Sequence, residues 1–377
     1  MFELSELSTL TSNILPLVGA LLAFYSIITV HEFGHFIFCK IFNVKTPTFS
    51  IGAGPVLLKK KLWDTKFVFS LFPVGGFVEI GGLSEPGQGS QELAQDLSDQ
   101  SFETKPYWQK MLILCGGIMF NLIFAFGIYT SLFYTGMPKS KVVEITIKSI
   151  IPNGPADKAG IIAGDIFVGI NHKLFAEKGS SLSISDFSAQ INGSANKPLH
   201  FLVKRNGETI QKEITPEPEN PEDASSSAKL QAELSSNLTY EISEGTSIIN
   251  AIKKSFTMVE SQVTESLSTF KRLFKERSIK GIGGPVMIVS QLFKTAQANF
   301  KLLLLFVSFI NVGIATMNML PLGALDGGQI MFTTIEAIFR RRLSDTFKIT
   351  VNVISLGFFF LLFVYLTFRD VLNLFGK

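Results

Sequence analysis

Four stretches of this 377-residue chain, 14–38, 111–134, 302–322 and 347–368, stay apolar for about the 20 residues a helix needs to cross hydrocarbon at roughly 1.5 Å per residue. No other feature restricts the fold as much. Backbone placed in lipid has to satisfy its own hydrogen bonds, so each stretch is read as a transmembrane α-helix. The remainder is different in kind: the chain is 17% charged at a mean hydropathy of +0.34, which predicts an architecture divided between membrane and water. The net charge of +3 is too small to argue for a nucleic-acid partner, and no nucleic-acid motif is present. Residues 1–6 carry Glu3 and Glu6 but no Lys or Arg, unlike the basic start of a secretory signal, so the first span is expected to remain as an uncleaved anchor.

Charge orients the spans. Lys45, Lys59, Lys60, Lys61, Lys66, Lys105 and Lys110 lie between the first two, and Arg340, Arg341, Arg342 and Lys348 between the last two. The positive-inside rule assigns both segments to the cytoplasm and leaves both termini and the middle region outside. Cys39 and Cys115 fall in apolar surroundings and imply no disulfide framework.

Within the first span stands His31-Glu32-Phe33-Gly34-His35. One helical turn separates the two histidines, so both imidazoles face one side and can hold a single metal ion, with Glu32 beside it. The bland alternative is a pair of helix-face histidines satisfied by carbonyls. In hydrocarbon an unpartnered cluster of this kind costs several kcal/mol, about 4 or more, which favours the metal. Cys39 continues the same face, but it lies about 12 Å along the axis from residue 31, too far to share an ion bound at about 2 Å. Packing is its expected role.

Between the first two spans, residues 47–55 and 66–80 look like short strands broken by Gly and Pro. Their apolar content suggests that they dip into the membrane against the first span, where Gly75, Gly76 and Phe77 could pair with an extended substrate. A plain cytoplasmic hairpin is the alternative. Residues 85–100 read as a mobile loop. In the second span, Gly116 and Gly117 let helices approach closely, and Asn121 serves either as interhelical glue or as support for the site.

Residues from Lys141 to about Thr215 alternate as strands do, with a hairpin signal at Asn206-Gly207. The run 154–165, followed by Ile170-Asn171, resembles the PDZ domains of bacterial envelope proteases, a fold that binds extended chain at a sheet edge. His172 and His200 have no metal-like neighbours and are read as structural or solvated. Residues 216–227 have the composition of a linker. After them apolar residues recur at three and four from Ile248 to Phe274, one long amphipathic helix that lies on the outer membrane surface or braces the PDZ domain. Gly281 to Pro285 ends it and starts a shorter helix.

A catalytic zinc takes three protein ligands and keeps one position open. The third span ends in Asn318-Met319-Leu320-Pro321-Leu322-Gly323-Ala324-Leu325-Asp326-Gly327-Gly328, where Pro and Gly deliver a carboxylate at membrane depth on irregular backbone. Asp326 is either the third ligand or the N-cap of a following helix. With zinc in place, Glu32 could act as general base, Asn318 could hydrogen-bond substrate backbone, and Asn311, two turns earlier, could hold substrate higher up.

Together, His31 to His35, Phe49-Ser50-Ile51-Gly52-Ala53-Gly54-Pro55, Phe72-Pro73-Val74-Gly75-Gly76-Phe77-Val78, the Gly116-Gly117-x-x-x-Asn121 run, the PDZ-like region and Asn318-x-x-Pro321 through Gly328 resemble the site-2 protease family of intramembrane zinc metalloproteases. Order and topology are similar to its bacterial regulator-of-sigma-E branch. The resemblance implies Zn2+, Glu32 as base, His31, His35 and Asp326 as ligands, and residence in a bacterial inner membrane with the active site toward the cytoplasm. It also implies a single-pass membrane protein substrate already clipped outside, such as an anti-sigma factor or a remnant signal peptide, with membrane lipid as the other partner. Two positions depart from the family pattern: Gly313 where Asn is common and Gly323 where Pro is usual. One PDZ domain fits here, where some members carry two.

The expected fold is therefore an α-helical polytopic membrane protein of four transmembrane helices with a membrane-associated β-hairpin region, plus one extracytoplasmic β-rich PDZ domain. Its parts are the HExxH helix (1–42), the β region and loop (43–104), span two (105–136), the PDZ domain (137–217), a linker (218–245), amphipathic helices (246–299), span three with the Asp-Gly motif (300–328), a cytoplasmic link (329–346), and span four with its tail (347–377). Two rivals are a metal-less PDZ scaffold, which has no need of Glu32, and a zinc-dependent transporter, which would want acidic residues or histidines in spans two and four.

Overall fold

The computed structural model describes residues 4–83, 98–171, 173–175, 184–218, 228–276 and 283–374. Most of the loop expected at 85–100, most of the linker at 216–227, His172 and the Gly281-Ile282 break lie outside the described residues. The chain forms two compact units, Met1–Thr135 with Gly245–Lys377, and Gly136–Glu244.

In chain order the elements are α1 (Leu4–Ile41), β1 (Thr48–Leu62), β2 (Thr65–Val78), α2 (Tyr107–Thr135), β3 (Pro138–Ile150), α3 (Pro155–Lys158), β4 (Ile166–Ile170), β5 (Lys173–Leu174) and α4 (Ile184–Asn192). There follow β6 (Leu199–Arg205), β7 (Glu208–Ile214), β8 (Glu217–Pro218), β9 (Ala228–Lys229), β10 (Ala232–Ile242), α5 (Ile248–Glu276), α6 (Pro285–Ala298), α7 (Phe300–Asn318), α8 (Asp326–Phe339) and α9 (Asp345–Leu374). Among the described residues, four segments are helical, long and apolar enough to cross a membrane: Ile14–Ile41, Tyr107–Thr135, Phe300–Asn318 and Asp345–Asn373.

Glycine sets the spacing of the helical unit. Gly34 of α1 meets Gly116 and Gly117 of α2 so closely that a Cβ on Gly34 or Gly116 would overlap the facing backbone. Small residues permit this approach, and dispersion between the two helices replaces the hydrophobic drive that lipid cannot supply. Farther up α1, Ala20, Ala23 and Ile27 pack with Leu292 of α6 and with Leu303 and Val307 of α7. The amphipathic helix α5 buries Ala251, Ser255 and Gln262, and Tyr129 of α2 donates to Gln262 Oε1 at 2.8 Å. Such a bond between helices in a bilayer contributes about 0.6 kcal/mol. The helix therefore packs within the helical unit, against α2 and α7.

Helix α6 begins at Gly284, which has no side chain to cap it, and Asp370 of α9 takes over that role. Its carboxylate accepts from Gly284 N at 3.3 Å and Met287 N at 2.9 Å. The α7–α8 corner corrects the expected boundaries: α7 stops at Asn318, and a separate 14-residue helix begins at Asp326, within what reads as span three and the link 329–346. Cβ atoms on Gly327 and Gly328 would strike the carbonyls of Leu320 and Leu322, so these two glycines let the loop fold onto the start of α8.

Strands β1 and β2 are long and bent, and each contributes two arms. Residues 48–51 lie between 66–69 on one side and 76–78 on the other, while 56–62 and 65–70 form an antiparallel hairpin. The arm at 76–78 is an edge of this sheet among the described residues. Tyr25 fastens the sheet to α1 by donating to Ser70 O at 2.8 Å and Leu71 O at 2.7 Å.

The second unit is a six-stranded antiparallel sheet in the order β10-β3-β4-β6-β7, with β5 on β4. Its core holds Ile145, Ile147, Phe167, Phe187, Phe201 and Val203. Asn206 and Gly207 form the β6–β7 turn, both at positive φ, as a two-residue hairpin turn requires. The reading of 218–245 as linker fails for its second half, because β10 pairs with β3 along its whole length. Asp165, ahead of β4, accepts from Arg205 Nε and Nη2 at 2.7 Å each and from Ile162 N at 2.9 Å. Burial pushes the Asp165 carboxyl up, and these donors more than reverse it, so its pKa lies below the ordinary value.

Candidate metal centre

Helices α1, α2 and α8 bring together the residues singled out by pattern. His35 Nε2 lies 3.4 Å from His31 Nε2, and Asp326 Oδ2 lies 3.4 Å from His31 Nε2 and 3.5 Å from His35 Nε2. The three atoms form a nearly equilateral triangle. Among the described residues no other group of His, Cys, Asp or Glu is arranged to hold an ion.

The donor chemistry fixes which atoms face that triangle. His35 Nδ1 is 2.8 Å from Ile113 O. A carbonyl only accepts, so Nδ1 carries the proton, and in the neutral ring Nε2 then presents a lone pair. His31 Nδ1 is 3.3 Å from Asn121 Nδ2, while Asn121 Oδ1 is buried with no partner. A half-turn of the amide, which exchanges its O and N, would let Oδ1 accept from a protonated Nδ1 and free His31 Nε2 in the same way. Asp326 Oδ2 is likewise buried without a hydrogen-bond partner.

Two imidazole nitrogens and a carboxylate oxygen at mutual distances of 3.4–3.5 Å form a set that a shared cation would hold together. Tetrahedral bonds of about 2.0–2.1 Å set their ligand atoms about 3.3–3.4 Å apart, so the set fits zinc. His31, His35 and Asp326 would hold it. Asp326 is the first residue of α8, one position after the N-cap Leu325, and its Oδ2 has no hydrogen-bond partner. Cys39 is fully buried among Phe36, Val44 and Phe49 and belongs to the core.

The supporting residues divide. Gly117 is essential to the site's shape, because a Cβ there would run into His35 Nε2 and the His31 ring. Gly76 of β2 lies against Ile28 and Glu32, and a Cβ there would stand 3.1 Å from Glu32 Cγ. The sheet edge at 76–78 is thus beside the carboxylate. Gly75 has φ +71 with open space around it, and Phe77 is half-buried opposite Ser50. Asn318 is buried at the end of α7, and Pro321 lies in the loop after it. Asn311 is fully buried, and its Nδ2 donates to Val307 O of its own helix at 2.8 Å, so no contact ties it to the metal triangle. His200 is half-exposed, 3.6 Å from Glu213, away from any metal-like group.

Three contributors were not legible as site residues. The Ile113 carbonyl is backbone and carries no sequence signal. Tyr25 is recognisable only through its contacts. Asn352 of α9, buried with Oδ1 unpartnered, faces Gly323, where a Cβ would come within 2.6 Å of that oxygen. Close approach by α9 therefore requires glycine at 323, while a Cβ at Gly313 would meet nothing within 4 Å.

A helical unit with four membrane-length helices and a His-His-Asp group able to hold a metal ion, beside a carboxylate, has the make-up of a multi-pass membrane protein with a candidate metal centre. The chain belongs to Peptidase family M50, whose model matches residues 19–363. It is similar to proteins of Helicobacter pylori strain 26695 (31% identity, 95% of this chain and 99% of that one), Clostridium perfringens strain 13 (29%; 94% and 98%) and Campylobacter jejuni (27%; 93% and 92%). Each of these bears the name "Putative zinc metalloprotease".

Proposed function

We propose that this protein is an intramembrane zinc endopeptidase that hydrolyses a peptide bond within or near the transmembrane segment of a single-pass membrane protein. The observation that carries the reading is the triangle of His31, His35 and Asp326 within a unit of membrane-length helices, with Glu32 on the next position of α1. When bound, zinc supplies Lewis acidity that polarises the scissile carbonyl and acidifies a water molecule. Glu32 would take a proton from the attacking water and return it to the leaving amine nitrogen. Ile113 O and Asn121 hold the two imidazoles in orientation, so neither histidine has to reorganise during turnover.

A transmembrane helix is a poor substrate, because its carbonyls are tied up in helical hydrogen bonds. The edge at Gly75–Val78 offers the unwound segment a new set of partners, and Gly76 lets that strand lie directly beside Glu32. Asn318 and Pro321, at the α7–α8 corner, would line the other side of the substrate. The second unit fits the PDZ reading: a groove of about 620 Å³ runs between α4 and the 228–234 segment, lined by Phe187, Ile191, Leu230 and Leu234. Such a groove suits an extended peptide end exposed by an earlier cut. The clusters Lys59–Lys61 and Arg340–Arg342 support a cytoplasmic position for the site and extracytoplasmic termini in a bacterial inner membrane.

The test is cleavage of a tagged single-pass protein by the purified, reconstituted chain. Glu32→Gln is expected to retain zinc and lower turnover by about 10³-fold, within the range for removing a general base. Undiminished cleavage by Glu32→Gln overturns the assignment.

A further inference from the structure

The tip of the β1–β2 hairpin lies outside the proposed chemistry, and its side chains are arranged for a different task. Residues 53–64 are exposed without interruption. Leu58 is 70% and Trp63 83% accessible, and Val56, Leu57 and Leu62 are exposed beside them. Neither face of this arm is covered by any described part of the chain. Lysines accompany the apolar residues: Lys59, Lys60 and Lys61 on β1 and Lys66 on β2, against the single carboxylate of Asp64. Lys61 and Lys66 are directly opposite each other across the two strands. Like charges in that register repel, and no hydrogen bond or ion pair to the side chains of these four lysines relieves it among the described residues.

The turn itself adds an independent observation. Leu62 pairs with Thr65, so Trp63 and Asp64 form a two-residue turn, and Trp63 sits in it at φ 50. Turns of this kind take Asn, Asp or Gly at left-handed positions, and a bulky aromatic there is a true outlier. Backbone strain of this sort is kept where the side chain is needed for something other than the fold. An indole is the side chain best suited to the boundary between headgroups and acyl chains.

We propose that the hairpin tip is an interfacial anchor for anionic phospholipid: Trp63, Leu58 and Leu62 seat at the headgroup boundary while Lys59, Lys60, Lys61 and Lys66 engage lipid phosphates. The anion resolves the Lys61–Lys66 repulsion, and the bilayer covers apolar side chains that the chain leaves bare. Because Tyr25 ties β2 to α1, an anchored tip would hold the edge strand at a fixed depth beside Glu32. The inference rests on the protein being a membrane protein and is independent of its catalytic reading.

Trp63 and Trp108 are the two tryptophans of the chain, so Trp108→Phe leaves Trp63 as the sole indole reporter. The full-length variant is placed in nanodiscs of phosphatidylcholine alone or with phosphatidylglycerol, and Trp63 emission is measured with lipids brominated near the carbonyl end and with aqueous iodide. We expect brominated lipid to quench Trp63, iodide to be excluded, and lipid quenching to rise about twofold or more with phosphatidylglycerol, an increase removed by Lys59→Gln/Lys60→Gln/Lys61→Gln. Trp63 open to iodide and untouched by brominated lipid in both compositions overturns the anchor. Lipid quenching that is the same with and without phosphatidylglycerol overturns the recognition of anionic lipid. Zinc-free protein serves equally well, so failure here is distinguishable from failure of the protease assignment.

Discussion

Asp165 and Asp326 are both withdrawn from solvent, one in each unit, and their surroundings are opposite. Asp165 has donors on both oxygens: two from Arg205 and one from Ile162 N. Asp326 Oδ2 has none, and its nearest polar neighbours are two imidazole nitrogens that present lone pairs. A carboxylate whose hydrogen bonds are complete holds a loop in place. One that is left incomplete, facing other acceptors, is waiting for a cation. The difference sets a structural acid apart from a candidate ligand without reference to any motif.

The largest effect that would sharpen this contrast is expected at Asp326. Asp326→Asn should abolish zinc retention, a loss beyond the roughly 10–100-fold typical of removing a ligand's hydrogen-bond partner, measured as metal content of purified protein. Full occupancy would make Asp326 a second Asp165 and break the comparison. Next in size is Gly117→Ala, whose methyl group would displace both imidazoles; zinc affinity should fall by about 100-fold with the chain still inserted in the membrane. Asn121→Leu removes one polar neighbour of His31 and leaves the ligands themselves in place, and about 10-fold is expected in a competition titration against a chelator.

Asp165→Asn should leave zinc binding unchanged and lower the unfolding midpoint of the sheet unit by about 5 °C, followed by thermal circular dichroism. The pH dependence has a definite sign. The folded pKa of Asp165 is depressed, so its contribution is fully present above the unfolded value of about 3.9 and is lost as pH falls through the lower folded value. Acid loss of the sheet unit should therefore set in below about pH 4 in the native chain and be weaker in Asp165→Asn. The smallest effect belongs to a third carboxylate, Asp370, which caps α6 from α9: Asp370→Ala should cost about 1 kcal/mol of stability, read from denaturant unfolding in detergent.

The sequence made some of this legible and hid the rest for physical reasons. The His31–Glu32–His35 spacing is local, so helical periodicity alone places both imidazoles on one face. Asp326 was visible because Pro321, Gly323, Gly327 and Gly328 announce irregular backbone after an apolar run. The strand β10 was concealed by its neighbourhood: the Pro, Glu and Ser residues of 216–227 give the whole stretch the look of a linker, and the pairing of Ala232 with Ile150 depends on a partner far away in sequence. Helix α8 was divided between span three and the link because Gly327 and Gly328 follow its first residue, Asp326, and read as a break. The cap from Asp370 to Gly284 and the contact between Asn352 and Gly323 join distant elements, and pairwise contacts of that kind leave no mark on either segment alone. The departures from family pattern at 313 and 323 likewise look alike in sequence and differ in space, one open and one closed against α9.

The metal triangle draws His31 and His35 from α1 and Asp326 from α8, two elements far apart in chain order. During synthesis the first helix enters the bilayer long before the third ligand has been translated. A chain translated only through α7 thus carries His31, His35 and Glu32 but lacks Asp326, and the set of three cannot close. Synthesis of α8 supplies the last of the three side chains, so any metal held by this set has to wait for that helix.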